Sequence, residues 1–203
     1  MEIKTFEAGP LSANNYLLTD GDEAVLIDCS EVNQKVLDEL NGKTLKYILL
    51  THGHFDHVLG INGMREKTGA KVLVHEADVD RIKESSNIMR TFGIFNSGFQ
   101  EPKADEFLTD GQIIKFGNTE IKVIFTPGHT QGGVCYMVDD KLFSGDTLFR
   151  GSCGRCDLPG GNFKQIQESI NNILFKLDDN TTVYPGHGET TTIGYEKQFN
   201  EIL

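Results

Sequence analysis

The sequence predicts an α/β fold whose sheets are mixed rather than purely parallel. Apolar segments of strand length come in pairs around short polar turns, as at 14–19 and 23–28, which flank Asp20 and Gly21. Other strands are separated by segments with apolar residues at helical spacing, as at 31–40. Because hairpins join antiparallel neighbours, sheets that contain them are not purely parallel.

The predicted elements cover most of the chain. After an edge strand at 1–7 and the first hairpin, strands are predicted at 45–50, 71–75, 112–116, 120–125, 134–138, 141–144 and 181–184. Helices are predicted at 31–40, 61–68, 76–85, 163–177 and 193–203, and Gly69 ends the second of them. The helix at 163–177 has one apolar face, formed by Ile166, Ile170, Ile173, Leu174 and Leu177.

The segment 86–103 has no clear hydrophobic period and is predicted to be a loop or an irregular helix. Its aromatic residues Phe92, Phe95 and Phe99 stand among glycines, and they either anchor a surface loop or form a lid over a site. No linker or low-complexity tract divides the chain. A single domain over 1–203 is therefore expected.

Composition limits the partners of the chain. The net charge is −11, which disfavours electrostatic binding to nucleic acid or to an anionic membrane. No stretch approaches the roughly 18 apolar residues of a membrane span, and residues 1–7 lack the features of a signal peptide. The four cysteines in 203 residues do not resemble a disulfide framework. We therefore expect a cytoplasmic protein that binds neither nucleic acid nor a membrane, and the sequence leaves its oligomeric state open.

The most informative segment is 51–57, Thr-His-Gly-His-Phe-Asp-His, between a predicted strand and a predicted helix. It holds His52, His54, Asp56 and His57, and imidazole and carboxylate are preferred ligands of zinc and similar cations. A single cation rarely takes four ligands from six consecutive residues. The spacing therefore suggests two cations side by side.

Three further candidate ligands each follow a predicted strand and stand next to a glycine: His129, Asp146 and His187. Ligand sites often collect at strand ends along one edge of a sheet. His75 lies within a predicted strand instead, so a structural or supporting role is expected for it.

Five motifs occur in order along the chain: 51–57, Pro-Gly-His-Thr at 127–130, Gly-Asp-Thr at 145–147, Gly-Arg-Cys-Asp at 154–157 followed by Leu-Pro-Gly-Gly, and Pro-Gly-His-Gly at 185–188. With them the sequence resembles the metallo-β-lactamase superfamily, and within it the hydroxyacylglutathione hydrolase (glyoxalase II) branch. The resemblance implies a four-layer αβ/βα sandwich, with two mixed sheets, helices on the outer faces and a two-metal site at one edge.

The resemblance also implies a role for each candidate ligand. The first metal would be held by His52, His54 and His129, and the second by Asp56, His57 and His187. Asp146 would bridge them. The implied reaction is hydrolysis of a thioester by a metal-bridging hydroxide, with Asp56 and Asp146 as catalytic residues. Zinc is the expected metal, with iron or manganese as alternatives.

Several residues near the candidate ligands are candidates for supporting roles. Thr51 and Asp28 are candidates to fix the histidine rings, although Asp28 equally suits a strand-end cap. Arg155 either pairs with a carboxylate of the substrate or forms a salt bridge with Asp157. Cys153 and Cys156 are expected to fill apolar space, with a redox-active or metal-binding pair as the alternative.

Two readings of the activity remain open. Full-length glyoxalase II has a helical C-terminal extension that contacts glutathione, and this sequence ends at Leu203 without one. It therefore looks closer to short glyoxalase II-like proteins of microbes, and the natural thiol stays open. The alternative is a persulfide dioxygenase with one iron, held by the counterparts of His52, His129 and Asp146. A secreted β-lactamase ranks lower.

Overall fold

The computed structural model describes residues 1–84 and 101–202. Within these ranges the strands form two six-stranded sheets and a separate two-stranded hairpin. The strands of the first sheet lie side by side in chain order: β1 (Glu2–Ala8), β2 (Ala13–Asp20), β3 (Glu23–Ile27), β4 (Thr44–Leu49), β5 (Lys71–His75) and β6 (Glu106–Leu108). β1 to β3 pair antiparallel, whereas β3 to β6 pair parallel, so this sheet is mixed as predicted.

The second sheet takes its strands from the second half of the chain. They are β7 (Ile113–Phe116), β8 (Thr119–Phe125), β9 (Val134–Val138), β10 (Lys141–Gly145), β13 (Thr182–Pro185) and β14 (Thr191–Thr192). The spatial order is β14-β13-β10-β9-β8-β7, with a parallel pair at β10 and β13 and antiparallel pairs elsewhere. The hairpin consists of β11 (Leu148–Phe149) and β12 (Ser152–Cys153).

Helices connect the strands, and side chains cap several of them. They are α1 (Gln34–Leu40), α2 (Phe55–Val58), α3 (Ile61–Thr68), α4 (Phe163–Asn172) and α5 (Ile193–Phe199), with 3-10 turns at Glu76–Asp78 and Leu174–Lys176. Residues 79–84 are also helical. Asn162 caps α4 by accepting a hydrogen bond from the backbone of Gln165. Gly69, with φ of +72°, ends α3 as predicted.

Three apolar clusters among the described residues separate four layers. One packs α1 and α3 against the first sheet, and another packs α4 against the second sheet. The third lies between the two sheets. Alternation along β3 shows the division, because Leu26 faces the helices while Val25 and Ile27 face the other sheet. This arrangement confirms the predicted four-layer αβ/βα sandwich.

The helix predicted at 163–177 is shorter in the structure. α4 ends at Asn172, and Ile173, with φ of −116° and ψ of −65°, is its C-cap residue. The chain continues as a 3-10 turn, in which side chains follow a different period. Ile173 is consequently 39% exposed, and its assignment to the buried face is wrong. Ile166, Ile170 and Leu174 are buried as predicted.

Other differences concern short or terminal elements. β6, β14 and the β11–β12 hairpin were not predicted, since two or three residues are too few to show a period. α5 ends at Phe199 rather than at 203. The predicted loop with Phe92, Phe95 and Phe99 lies outside the described residues, except for 101–103. No helix in the described ranges is long and apolar enough to cross a bilayer.

Candidate metal centre

Four strand ends along one edge of the sandwich carry the predicted ligands. β4 leads into 51–57, and β8, β10 and β13 lead into the other three loops. Because β10 and β13 run parallel, the residues that follow them lie side by side. A hydrogen bond of 2.9 Å from Val134 N to Thr51 O links the end of β4 to the start of β9. The structure thus brings together all the predicted ligands: His52, His54, Asp56, His57, His129, Asp146 and His187.

These side chains form overlapping groups whose donor atoms lie within 4.8 Å of one another. Three such groups occur in the described parts of the chain: His52, His54 and His129; Asp56, His57 and His187; and His52, His57 and Asp146. The Asp146 carboxylate reaches both of the first two groups. Its Oδ2 lies 3.5 Å from His129 Nε2 and 3.6 Å from His187 Nε2.

Asp28 and Thr51 orient two of the histidine rings. Asp28 Oδ2 accepts a hydrogen bond of 2.8 Å from the Thr51 hydroxyl and lies 2.8 Å from His57 Nδ1. The hydroxyl has one proton, which goes to Asp28, so it accepts from His52 Nδ1 at 3.0 Å. Both rings therefore point Nε2 into the cluster. The expected contact of Asp28 and Thr51 with ligand rings is present.

The His129 ring is oriented by the backbone of the Gly-Arg-Cys-Asp motif. His129 Nδ1 lies 2.7 Å from the carbonyl oxygen of Arg155 and donates to it, which leaves Nε2 for the cluster. Glycine precedes Arg155 because of close packing. A Cβ on Gly154 would lie 1.8 Å from the carbonyl oxygen of Asp146 and 2.9 Å from His129 Nδ1.

The loop that carries His187 is held by β2. Asn14 Nδ2 donates to the carbonyl oxygens of Pro185 and Gly188, on either side of His187, at 3.0 Å each. The Tyr16 hydroxyl donates to Pro185 O at 2.6 Å. The sequence predicted 14–19 only as a strand. Asparagine is uncommon in strands, so the Asn pair that starts it was the signal for another role.

Two polar atoms in the cluster are buried without a hydrogen-bond partner among the described residues: His52 Nε2 and Asp146 Oδ1. Beside them, His54 Nδ1 and His129 Nε2 lie within hydrogen-bonding distance of each other, at 2.8 Å. Buried polar atoms normally have partners, and a cation between such atoms would satisfy them. Imidazole nitrogen and carboxylate oxygen are also common ligand atoms for zinc and iron ions. The residues therefore fit bound metal.

The charge balance of the cluster supports the same fit. Burial lowers the pKa of His52 well below its ordinary value and that of His54 to about 3, so both rings are neutral and keep a lone pair. Burial also acts to lower the pKa of His57, but the carboxylates of Asp146 and Asp28 outweigh it and raise this pKa to about 10. A positive charge is therefore favoured at this end of the cluster.

A pocket of about 630 Å³ opens over the cluster. Its apolar wall is formed by Leu11, Phe55, Phe149, Leu158 and Pro159. Arg155 also lines the pocket, and its Nε and Nη2 each donate to the Asp157 carboxylate at 2.7 Å. The salt bridge with Asp157, one of the two contacts that the sequence left open for Arg155, is present.

His75 and the cysteine pair lie apart from the cluster chemistry. His75 Nδ1 accepts a hydrogen bond from Ala77 N, and its ring stacks on Phe125 at 4.5 Å, in agreement with the structural role expected. Cys153 and Cys156 are free thiols packed against an apolar cluster. Burial raises the pKa of Cys153 to about 11 and also raises that of Cys156, so both stay protonated at neutral pH.

The sequence profile of the metallo-beta-lactamase superfamily matches residues 8–187. The probable metallo-hydrolase YqgX of Bacillus subtilis is 33% identical over 210 residues, which cover 100% of this chain and 98% of that protein. The hydroxyacylglutathione hydrolase GloC of Haemophilus influenzae is 30% identical over 215 residues, covering 100% of this chain and 98% of GloC.

Solved structures agree with these relatives. BLEG-1 B3 metallo-beta-lactamase superposes with a TM-score of 0.89 at 33% identity, covering 100% of this chain and 99% of its own. TTHA1623 in a di-iron-bound form gives 0.85 at 34% identity, covering 98% and 100%. ETHE1 from Myxococcus xanthus gives 0.78 at 29% identity, covering 99% and 84%. With this fold and this cluster of histidine and aspartate side chains, the chain belongs to the metallo-beta-lactamase superfamily.

Proposed function

We propose that the chain hydrolyses a thioester of hydroxyacylglutathione type at a centre for two divalent cations. The observation that carries the proposal is that two ligand groups meet at Asp146 on the floor of an open pocket. His52, His54 and His129 would hold the first cation, Asp56, His57 and His187 would hold the second, and Asp146 would be shared by both. Zinc is the expected metal, and iron and manganese suit the same donors.

When bound, such cations would supply a water of lowered pKa, near about 7, and would polarise the carbonyl of the substrate. Asp56 is the group proposed to hold the proton during attack. Its carboxylate lines the pocket and lies 3.2 Å from His187 Nε2. Burial acts to raise the pKa of Asp56, but His187 and His57 lower it to about 2. Asp56 is therefore ionised at neutral pH and accepts a hydrogen bond from water.

The pocket offers an apolar wall and a cationic side chain that suit different parts of such a substrate. The wall that contains Phe149 and Leu158 suits the carbon chain of the acyl or thiol group. Arg155 is the proposed contact for a substrate carboxylate. Its Nε and Nη2 already bond Asp157, which holds the guanidinium in one orientation, and Nη1 would meet the anion.

The relative GloC supports this choice of substrate, because the similarity runs over nearly the full length of both chains. We further expect the chain to act in a reducing, cytoplasmic environment, as its four cysteines, Cys29, Cys135, Cys153 and Cys156, are free thiols.

An iron-dependent dioxygenase acting on a persulfide is the second candidate. His52, His129 and Asp146 lie in the same cluster, and two histidines with one carboxylate form the ligand set of many mononuclear iron oxygenases. The likeness to ETHE1 favours keeping this candidate.

A substrate panel separates the candidates. Protein loaded with zinc, and separately with ferrous iron, is offered a hydroxyacylglutathione, a simple acetyl thioester, a β-lactam and glutathione persulfide. The proposal predicts release of free thiol from a thioester, lost in His129→Ala and in His187→Ala. Oxygen uptake with the persulfide and no thiol release would favour the dioxygenase instead. Cleavage of the β-lactam alone would contradict both.

A further inference from the structure

Asp78 is a buried carboxylate that has no part in the reaction proposed above. It lies in the 3-10 turn after β5 and is 1% exposed. Its Oδ2 accepts a hydrogen bond of 2.7 Å from the backbone N–H of Gly53, and its Oδ1 accepts one of 2.6 Å from that of Gly132. Each carboxylate oxygen therefore serves a different loop.

The two amides belong to the loops that carry the first ligand group. Gly53 stands between His52 and His54, and Gly132 lies in the loop between β8 and β9 that contains His129. β4 belongs to the first sheet and β8 to the second. Asp78 thus joins ligand loops that come from opposite halves of the sandwich.

The close approach of Asp78 accounts for glycine at both positions. A Cβ on Gly53 would lie 2.8 Å from the carbonyl oxygen of Asp78, and a Cβ on Gly132 would lie 2.7 Å from its Oδ1. A side chain at either position would push the Asp78 turn away from the loop. The contact therefore depends on three positions of the chain.

The carboxylate is the side chain that this position requires. Burying a charge is unfavourable unless hydrogen bonds compensate it, and here both oxygens receive one from a backbone amide. Asparagine has the same shape but one acceptor oxygen. Its NH₂ group would face an N–H group of one loop, and that loop would be released.

We infer that Asp78 is the positioning residue of the His52, His54 and His129 group, and that it sets the affinity for the first cation. It does so by fixing the distance between the two loops. In the second ligand group, Asp28 contacts His57 and Asn14 bonds the backbone on either side of His187, and neither contact involves Asp78. The inference rests on the ligand assignment proposed above.

The test isolates each ligand group before Asp78 is changed. The His187→Ala variant keeps all residues of the first ligand group, and the His129→Ala variant keeps all residues of the second. Zinc affinity is measured in each background by competition with a chromophoric chelator. In the His187→Ala background, Asp78→Asn should weaken zinc binding about 10- to 100-fold, as loss of a residue that supports ligands does. In the His129→Ala background it should change binding by about twofold or less, as independent sites do.

Asp80→Asn is the matched control. It removes the same charge two residues further on, from an exposed position, and should leave both affinities unchanged. Thermal unfolding of the metal-free variants checks that each is folded. If Asp78→Asn does not fold, Gly132→Ala carries the same test, because its methyl group displaces the carboxylate from one loop.

If Asp78→Asn weakened zinc binding equally in both backgrounds, the fold would be loosened in general and the inference would be overturned. Unchanged zinc affinity in the His187→Ala background would also overturn it. Either of these results would leave the proposed function standing, provided that the wild-type protein binds two zinc ions. Wild-type protein that binds no zinc would overturn the metal-centre proposal, and this inference with it.

Discussion

The carboxylate of Asp28 contacts one candidate ligand, His57, directly and a second, His52, through the Thr51 hydroxyl. Oδ1 accepts from Thr51 N, while Oδ2 faces both the Thr51 hydroxyl and His57 Nδ1. The residue has φ of +58°, a left-handed conformation that aspartate and asparagine adopt more readily than most other residues. Function and local geometry both restrict what can stand here.

Asp28→Asn is predicted to weaken metal binding without disturbing the backbone. Asparagine tolerates the left-handed conformation but offers only one acceptor oxygen. Either the Thr51 backbone N–H, or the Thr51 hydroxyl together with His57 Nδ1, would therefore lose its acceptor. Zinc affinity should fall about 10- to 100-fold, as measured by chelator competition. Asp22→Asn, at an exposed position, is the control. Equal affinities for Asp28→Asn and wild type would show that Asp28 is only a strand-end cap.

At the same scale, the ligands and the residues that hold them differ in how far the sequence predicted them. His52, His129 and Asp146 stand in short motifs next to glycine, and a local pattern is enough to find them. Asp78 and Asn14 have no such pattern. Asn14 bonds a carbonyl 171 positions away, and such contacts exist only once both sheets have formed.

At the scale of elements, several segments of five to eight residues were predicted with the observed bounds, whereas strands of two or three residues were missed. β5, β9 and α3 have the predicted bounds of 71–75, 134–138 and 61–68. The apolar face of α4 was extended too far, because the sequence of 173–177 still shows helical spacing after the backbone has changed to a 3-10 turn. Hydrophobic period alone does not report that change.

This difference gives a prediction for the stability of α4. Ile170→Ala should lower the free energy of unfolding by about 2–5 kcal/mol, because the side chain is fully buried against the second sheet. Ile173→Ala should lower it by less than about 1 kcal/mol, since this side chain is 39% exposed. Urea unfolding of the metal-free protein compares the two. Similar losses would mean that the helix continues through Ile173.

At the scale of the whole molecule, the sandwich positions the centre between its halves. The first sheet delivers the segment 51–57, and the second delivers His129, Asp146 and His187 from the ends of three strands. Ligands from both halves come within 4.8 Å of one another. The four-layer packing could be expected only from the resemblance to the superfamily, because strand order and sheet pairing are not local properties of the sequence.

The central claim is that one chain holds two cations, and the most direct test is the metal content of protein purified without added metal. Elemental analysis should find close to two divalent cations per chain in the wild type and close to one in His129→Ala and in His187→Ala. A chain that retains no metal, and regains none when offered zinc, iron or manganese, would contradict the assignment of all seven ligands.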